Sequence, residues 1–277
     1  MAWGARARPI ISQASITFMS SFTPSNSSST PPSDKLAPHL TPRLELPAAL
    51  QTSGFAVLGA ADVCALSGLE LASLQAWTPS WNQLPPDAYL RDGGRYRHRR
   101  HSCFVVDGEV VSQAAHRAHW QPIAYNALHG GMQRHFEAMD AAMTCGAPWQ
   151  ALLRWLAHVC SDLKGAQPWF IEAHQFRIDT ADGIGRPTPE GAHRDGVDLV
   201  AVFLVARHAS KGGETRVFDA AGPQGQRFTL TEPWSVLLLD DERVIHESTP
   251  IQPLEAGGYR DTLVVTLRAG GFQGDAA

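Results

Sequence analysis

Three side chains in the C-terminal half of the sequence could together bind a divalent metal ion: His193, Asp195 and His246. Two imidazoles and one carboxylate leave coordination positions open, and non-heme Fe(II) oxygenases use this ligand set. His193 and Asp195 are two positions apart, so on a strand both side chains would project from one face. The spacing therefore predicts one metal site with His246 as its third ligand. The alternative is that the two histidines are unrelated polar residues at strand ends.

A histidine followed two positions later by an acidic residue also occurs at His135 and Glu137. The surrounding run, Gly131–Met143, has apolar residues at spacings of three and four, which predicts a helix. On a helix, positions i and i+2 point about 200° apart, so these two groups could not share a metal ion. We interpret them as an ordinary solvated helix face.

An arginine and a threonine near the C-terminus could bind a carboxylate. The segment from Arg260 to Leu267 alternates, so Arg260, Thr262, Val264 and Thr266 should share one face of a strand. A guanidinium beside a hydroxyl suits bidentate, charge-assisted hydrogen bonds to a carboxylate. Oxygenases with this ligand set commonly need a dicarboxylic cosubstrate, whose distal carboxylate Arg260 and Thr262 could anchor. An arginine paired to a surface acid would be the structural alternative.

A second group of cations lies in the basic segment Arg95–His101, which leads into a strand-like run at Cys103–Val106. A basic run is usually a solvated face, but the chain as a whole is acidic, with a net charge of −4. Arg97, Arg99 and Arg100 are therefore also candidates for holding an anionic ligand.

The elements that must position these residues differ between the two halves of the chain. From about Pro47 to Leu163 the signals are mainly helical, and the clearest helix is predicted at Pro148–Leu163, ended by Gly165. From Trp169 onward, short strands alternate with turns. The candidate strands are Trp169–Ile178, Val197–Arg207, Thr215–Phe218, Arg227–Leu230, Ser235–Asp240 and Asp261–Arg268.

Several of these strands are apolar on both faces, which is typical of strands covered on two sides. The pattern predicts a mainly β fold with an N-terminal helical layer, arranged as a β-sandwich or jelly roll. We expect a single domain over residues 46–277, with mainly helical support at 46–165 and the β core at 166–270.

Composition excludes some functions. The 277 residues are 44% hydrophobic and 18% charged, as in a globular domain, and the negative net charge gives no reason to expect nucleic-acid binding. No apolar stretch approaches the roughly 20 residues of a membrane helix. The four cysteines lack metal-like pairing, which favours free thiols in a reducing compartment such as the cytoplasm.

The first 45 residues form a separate segment that is rich in Ser, Thr and Pro, with Asp34 as its first acidic residue. We interpret residues 1–45 as a disordered tail. A transit peptide, or a true start at Met19, would also explain this composition.

At this level of detail the sequence resembles a known family. The resemblance is carried by the runs Pro189–Gly196, Asp198–Val202, Gly212–Thr215, Asp240–His246 and Arg260–Leu263. They are similar to the 2-oxoglutarate/Fe(II) dioxygenase family that contains the bacterial L-isoleucine dioxygenases, which hydroxylate free aliphatic L-amino acids. The strong similarity covers residues 170–270, while Arg95–Phe104 and Tyr125–Phe136 match more loosely.

The resemblance implies a double-stranded β-helix, or cupin-like jelly roll, with Fe(II) as the metal and 2-oxoglutarate and O2 as cosubstrates. His193, Asp195 and His246 match the iron ligands, Arg260 matches the residue that anchors 2-oxoglutarate, and Thr262 assists it. The implied reaction is hydroxylation of a small molecule, a free L-amino acid, with release of succinate and CO2. A peptide or other metabolite as substrate, or a non-catalytic cupin-like binding protein, remain alternatives, and the sequence does not define an oligomeric state.

Substrate residues are the least specified part of this prediction. Gln175 and Arg177 share one face of the strand that starts at Trp169, with His174 and Phe176 on the other. We take Gln175, Arg177, Arg97 and Arg99 as candidates for lining the substrate pocket, with core packing or a structural ion pair as the alternative for Gln175 and Arg177.

Overall fold

The structure is a computed structural model that describes residues 36–275. The α-helices are α1 (Leu46–Ser53), α2 (Ala60–Ser67), α3 (Leu71–Gln75), α4 (Ala141–Thr144) and α5 (Ala147–Lys164). The strands of the N-terminal half and centre are β1 (Phe55–Leu58), β2 (Arg97–Asp107), β3 (Val110–Gln113), β4 (Trp169–Asp179) and β5 (Leu199–His208). The remaining strands are β6 (Ser210–Gly212), β7 (Thr215–Asp219), β8 (Gly225–Phe228), β9 (Val236–Asp240), β10 (Val244–Ser248), β11 (Ile251–Pro253) and β12 (Tyr259–Ala269).

Seven strands form one large antiparallel sheet in the order β1, β9, β5, β12, β4, β2, β3. Its centre is the pairing of β12 with β4 over 11 residues, from Tyr259 opposite Asp179 to Ala269 opposite Trp169. Two smaller sheets, β10–β7–β8 and β11–β6, complete the β structure of the described residues.

Apolar residues cover both faces of the large sheet. On one face, Leu152 and Leu156 of α5 belong to the same buried core as Ile171, Phe203 and Val265 of the sheet. On the other face, a second core joins the large sheet to the three-stranded sheet; its members include Val200, Leu237, Val217, Phe228 and Val244. The protein therefore has a helical layer, a large sheet and a smaller facing sheet. This confirms the predicted fold class, a mainly β double-stranded β-helix with a helical layer.

The predicted helix at Pro148–Leu163 is confirmed as α5, Ala147–Lys164. Pro148 occupies its first turn, where no intrahelical N–H bond is needed, and Gly165 ends it with a φ of 90°. The predicted apolar stripe is buried against the sheet, with Leu163 partly buried at its end.

The six predicted strands of the C-terminal half are confirmed as β4, β5, β7, β8, β9 and β12, with ends displaced by at most two residues. β10 was not predicted, although it carries His246. Its sequence contains only two apolar residues, and its pairing partner is β7, so the stabilising contacts are not local in the sequence.

The predicted helix at Gly131–Met143 is wrong, since only Ala141–Thr144 is helical in this region. The chain here is extended. His119 and Arg134 exchange backbone hydrogen bonds of 2.9 and 3.0 Å, and His101 N donates to Glu137 O at 3.0 Å. Arg134 and Phe136 are buried while His135 and Glu137 are exposed, so burial follows a period of two. The exposure of His135 and Glu137 matches the interpretation of a solvated face; their helical setting does not.

Two other predictions concern the N-terminus and membranes. Residues 1–35 of the predicted 1–45 tail lie outside the described residues. Within residues 36–45, Leu36 O accepts from Thr229 N at 2.7 Å and Thr41 N donates to Val57 O at 2.8 Å, so folded structure begins before residue 46. Across residues 36–275, no helix combines the length and apolarity that a bilayer crossing requires.

Candidate active site

A cavity of about 140 Å³ lies on the face of the large sheet that is turned away from the helical layer. The cross-strand register aligns its wall in rows: Arg97 of β2, Ile178 of β4 and Arg260 of β12 in one row, and Arg99, Phe176 and Thr262 in the next. Loop residues close other sides. These loop residues include His119, Gln121, Arg134, Glu190, His193 and Asp195.

His193, Asp195 and His246 come together in this cavity, with one ligand atom of each within 4.8 Å of the others. The Asp195 carboxylate lies between the two imidazoles, 3.8 Å from His193 Nε2 and 3.7 Å from His246 Nε2. His246 is on β10. His193 and Asp195 are not on a regular strand as expected, since they lie in the loop before β5. His193 nevertheless pairs locally with His246 through backbone hydrogen bonds of 3.0 and 2.9 Å, which gives the extended geometry that the spacing requires.

Asp241, in the turn between β9 and β10, fixes the loop that carries Asp195. Its buried carboxylate accepts backbone hydrogen bonds from Asp195 at 3.0 Å, Gly196 at 2.7 Å and Val197 at 3.1 Å. Gly196 has a φ of 76°, and a Cβ there would lie 2.4 Å from the Tyr125 ring, so glycine is needed at this position. Gln121 Nε2 also donates to Asp195 Oδ1 at 3.1 Å, which orients the carboxylate itself.

The hydrogen bonding of His193 and the protonation state of His246 favour metal binding, whereas the acidic neighbours of His193 favour its protonation. His193 Nδ1 is 2.9 Å from the carbonyl oxygen of Gly191, which can only accept, so in the neutral ring Nδ1 carries the hydrogen and Nε2 keeps its lone pair. Burial and the neighbouring His193 hold the pKa of His246 well below its usual range, in the neutral form that ligates metals. Burial opposes protonation of His193, but Asp195 and Glu190 outweigh it and raise its pKa.

The pKa of the Asp241 carboxyl is also shifted by its surroundings in this site. Its pKa is raised to about 7 by burial and by the charge of Asp195, against the three backbone hydrogen bonds that favour the ionised form.

Arg260 and Thr262 line the cavity, as the alternation of β12 predicted, while Leu263, Val265 and Leu267 pack into the core on the other face. Arg260 is 3% exposed, and burial together with the nearby Arg207 lowers its pKa to about 10, so it stays charged at neutral pH. Among the described residues no carboxylate lies within ion-pair distance of Arg260, and its buried Nε has no hydrogen-bond partner. A buried guanidinium without an anion is costly, so this end of the cavity suits a carboxylate ligand.

The prediction that Gln175 and Arg177 line the pocket is wrong. Both lie on the opposite face of β4, where Gln175 Nε2 donates to Ser80 Oγ at 2.7 Å. Arg177 forms a bidentate ion pair with Asp261, at 2.8 and 2.7 Å. The cavity instead receives His174 and Phe176, because these stand in register with Val264 and Thr262 of β12. The alternation of β4 was correct, but the choice of face was not.

Within the basic segment, Arg97 and Arg99 line the cavity and Arg100 does not. Arg97 Nε donates to the buried Asp87 at 2.7 Å, and Arg99 lies over the Phe136 ring at 3.8 Å. Arg100 points away and contacts the exposed Glu137 at 3.3 Å. The alternation of β2 therefore places Arg97 and Arg99 on the face of the cavity and Arg100 on the opposite face.

Sequence reasoning missed a second, buried polar cluster, formed by His101, His119, Glu172 and His174. All of these except His101 line the cavity. Arg134, also missed, lies beside the cluster and lines the cavity. Glu172 and His174 alternate with Phe176 on β4, so a correct choice of face would have found them. His119 and Arg134 come from a loop without periodicity.

The fold and the donor set define the class of protein: a double-stranded β-helix with two histidines and one carboxylate that could hold a metal ion, beside an arginine that could hold a dicarboxylate. Residues 78–266 match the family model described as 2OG-Fe dioxygenase, and the chain belongs to this family. The family uses Fe(II), 2-oxoglutarate and O2, as predicted.

Solved structures agree with this assignment. A bsmA homologue from Methylobium petroleophilum PM1 is 51% identical, with a TM-score of 0.82 over 87% of this chain and 98% of that one. IDO from Bacillus thuringiensis is 20% identical, with a TM-score of 0.66 over 82% and 98% of the two chains. The Fe(II)/α-ketoglutarate-dependent dioxygenase TqaL is also 20% identical, with a TM-score of 0.64 over 84% and 88%. The last two share the fold. No curated protein sequence matches with significance.

Proposed function

We propose that this protein is an Fe(II)- and 2-oxoglutarate-dependent hydroxylase of a small molecule, a free aliphatic L-amino acid, which releases succinate and CO2. The observation that carries the proposal is one cavity that holds both the His193, Asp195 and His246 cluster and the buried Arg260, which has no carboxylate partner within residues 36–275. The four cysteines form no disulfide, which fits the cytoplasmic setting that we propose.

The metal-binding part rests on the chemistry of the donors. The neutral form of His193 would offer the lone pair of Nε2, His246 is neutral, and the Asp195 carboxylate lies between them. These three residues would hold Fe(II) and leave positions open for other ligands. When bound, the iron and 2-oxoglutarate supply the oxidising chemistry for C–H hydroxylation, and the protein supplies position and environment.

The chain's own residues perform three tasks. Arg260, with Thr262 beside it, binds the distal carboxylate of 2-oxoglutarate by replacing its water shell with charge-assisted hydrogen bonds. Asp241 and Gln121 keep Asp195 in place. Val202, Val264 and Ile178 line the same cavity and exclude water from the reacting region, and their apolar surface suits an aliphatic side chain.

The substrate class rests on the cations that face the cavity. Arg97 and Arg99 are buried there, and each has a guanidinium nitrogen without a partner among the described residues. A substrate carboxylate would satisfy these donors.

The test is a panel of the twenty proteinogenic L-amino acids incubated with the protein, Fe(II), 2-oxoglutarate and O2. Mass spectrometry should find one of them with one added oxygen, in a 1:1 ratio with succinate. His246→Ala should form neither product. Succinate without any hydroxylated amino acid would keep the oxygenase and reject the substrate class, which would favour another metabolite or a peptide. Absence of both from the parent protein would favour a non-catalytic binding protein.

A further inference from the structure

A buried hydrogen-bond network in the segment between β3 and α4 leads to the Asp195 carboxylate. Its members are Asn126, Arg134 and Gln121, which are 4%, 2% and 7% exposed. Asn126 Nδ2 donates to Gln121 Oε1 at 3.1 Å, and Arg134 Nη2 donates to the same oxygen at 3.0 Å. Gln121 Nε2 in turn donates to Asp195 Oδ1 at 3.1 Å. Asn126 and Arg134 are thus connected to a metal-binding side chain through one amide.

The direction of these hydrogen bonds follows from groups that can act in only one way. The backbone N–H of His129 donates to Asn126 Oδ1 at 2.7 Å, so the other side of this amide, Nδ2, must face Gln121. Arg134 can also only donate, because a guanidinium has no acceptor. Gln121 Oε1 therefore accepts twice, and the NH2 group of Gln121 is left to face Asp195. In the reversed amide, two donors would meet this NH2 group and the oxygen would meet a carboxylate.

The backbone closes on itself over residues 121–131 and fixes the two amides. Gly131 N donates to Gln121 O at 2.8 Å, and Gly130 N donates to Asn126 O at 2.7 Å. A Cβ at Gly130 would lie 2.4 Å from Asn126 O, so this close approach requires glycine. Because all of these bonds are made within the protein, the network is in position before a metal ion binds.

The charge of Arg134 strengthens the network. Burial lowers the pKa of Arg134 to about 10, with the neighbouring Arg97 acting in the same direction, so its guanidinium stays charged at neutral pH. A charged donor on Gln121 Oε1 polarises the amide and strengthens the hydrogen bond that its NH2 group gives to Asp195. Arg134 thereby acts on Asp195 although one side chain lies between them.

The two carboxylate oxygens of Asp195 are left in different states. Oδ1 accepts from Gln121, whereas Oδ2 has no hydrogen-bond donor among the described residues and lies 3.7 Å from His246 Nε2. An oxygen that accepts a hydrogen bond has less electron density to give to a metal ion, so Oδ2 is the better ligand. A carboxylate bound through both oxygens would also fill a coordination position that the cosubstrates need.

We propose that Asn126 and Arg134 are positioning residues of the metal site, which act through Gln121 to make Oδ2 the metal-binding oxygen of Asp195. The inference rests on the proposed function and explains how its metal site keeps positions open for ligands. The competing explanation is purely structural: the amides hold residues 121–131 together, and a bound metal ion does not sense them.

Substitutions of Gln121 test the network on Fe(II) binding. Gln121→Leu removes the donor to Asp195, and Gln121→Glu places a carboxylate oxygen opposite Oδ1. In anaerobic titrations both variants should bind Fe(II) about 10- to 100-fold more weakly than the parent, as is typical when the partner of a metal ligand is lost. Gln133→Glu is the matched control, the same change at an exposed position next to Arg134, and its iron affinity should equal the parent's. Parental iron affinity in both Gln121 variants would overturn the proposal.

Asn126→Asp tests the direction of the hydrogen bonds. This variant still accepts from His129 N but has no donor for Gln121 Oε1, so Arg134 alone holds the amide. At saturating metal, its Co(II) derivative should show weaker d–d absorption than the parent, because Asp195 is free to bind through both oxygens and the intensity falls as the coordination number rises. Arg134→Met should change the spectrum in the same direction. A purely structural role would leave the spectrum of the metal-loaded protein unchanged, so parental spectra in both variants would overturn the proposal.

A crystal structure of the parent with Mn(II) and 2-oxoglutarate decides the assignment if the variants do not fold. Asp195 should bind the metal only through the oxygen that Gln121 does not contact. Binding through both oxygens, or through the oxygen that faces Gln121, would overturn the proposal and leave the proposed function intact. A parent protein that binds neither Fe(II) nor Mn(II) in solution would overturn both.

Discussion

Arg260 is a residue whose surroundings require an anionic ligand. It is buried, charged and without a carboxylate partner among the described residues. If it anchors 2-oxoglutarate, Arg260→Ala should raise the dissociation constant of this cosubstrate by roughly 30-fold to several thousand-fold, or about 2–5 kcal/mol. Arg260→Lys should recover only part of the affinity, because an ammonium cannot replace the planar fork.

The control for this prediction is the affinity for Fe(II), which should change little in both variants because Arg260 is not a ligand. Arg260→Ala protein with parental affinity for 2-oxoglutarate, measured by anaerobic titration, would show that the carboxylate binds elsewhere.

Individual residues also show what the sequence could predict. His193, Asp195, His246, Arg260 and Thr262 were found because their types and spacing match a chemical task, and all five lie in the cavity. Gln175 and Arg177 were misplaced because alternation divides a strand into two faces without indicating which one faces the cavity. That choice depends on the register of β4 with β12, which is a property of the folded sheet.

The turn between β9 and β10 is the element that most directly holds the metal-binding loop. Asp241→Asn replaces an acceptor of three backbone N–H groups with a side chain whose NH2 group cannot accept. We expect Fe(II) affinity to fall by about 10- to 100-fold, as is typical when a residue that supports metal ligands is changed. Iron titration of the folded variant is the measurement.

The neighbouring Asp240 provides a matched control. Its side chain accepts a hydrogen bond from Lys164 Nζ of α5 at 2.9 Å, and among the described residues it forms no hydrogen bond with the loop of Asp195. Asp240→Asn should therefore reduce thermal stability slightly without changing iron affinity. Equal loss of iron affinity in both variants would contradict a specific role for Asp241.

Among the elements, those with many local signals were predictable. α5 has a long apolar stripe with a proline at its start and a glycine at its end, and β5 and β9 are continuous apolar runs. The extended segment around Arg134 and the short strand β10 were not predictable, because their hydrogen bonds join residues that are distant in the sequence. Apolar spacing in Gly131–Met143 resembled a helix, but tertiary hydrogen bonds to β2 determined its conformation.

The buried histidines make the stability of the folded protein depend on pH. Burial lowers the pKa of His119 to about 4, with the charge of Glu172 opposing this shift. In the unfolded chain this histidine is protonated below about pH 6.5, whereas the folded state resists protonation, so stability is lost between about pH 6.5 and 4. At about 1.4 kcal/mol per pKa unit, the loss from His119 is on the order of 3 kcal/mol.

Chemical denaturation of metal-free protein at a series of pH values checks this prediction. His119→Gln should remain able to donate to Glu172, and its unfolding free energy should decline less between pH 7 and 4 than that of the parent. The carboxyl of Glu172, whose pKa is held well below its usual value, adds a further acid-dependent loss below about pH 4.5 in both proteins. Identical pH dependence of the two proteins above pH 4.5 would contradict the pKa assigned to His119.

The fold class was predictable because the two halves of the chain carry different periodicities, but the sequence did not predict that β1, β2 and β3 of the N-terminal half join the large sheet. A helical layer followed by strands buried on both faces implies a sheet that is covered twice. The cavity itself was not predictable, since β2, β4, β12 and the irregular segment between β3 and α4 meet only in the folded state.

The most direct test of an Fe(II)- and 2-oxoglutarate-binding centre is an anaerobic titration of the Fe(II)-loaded protein with 2-oxoglutarate, followed by its metal-to-ligand absorption band. We predict a band that saturates at one equivalent in the parent, is absent in His246→Ala, and requires much higher 2-oxoglutarate concentrations in Arg260→Ala. A parent protein without a 2-oxoglutarate-dependent band, or a His246→Ala variant with the parental band, would contradict the account.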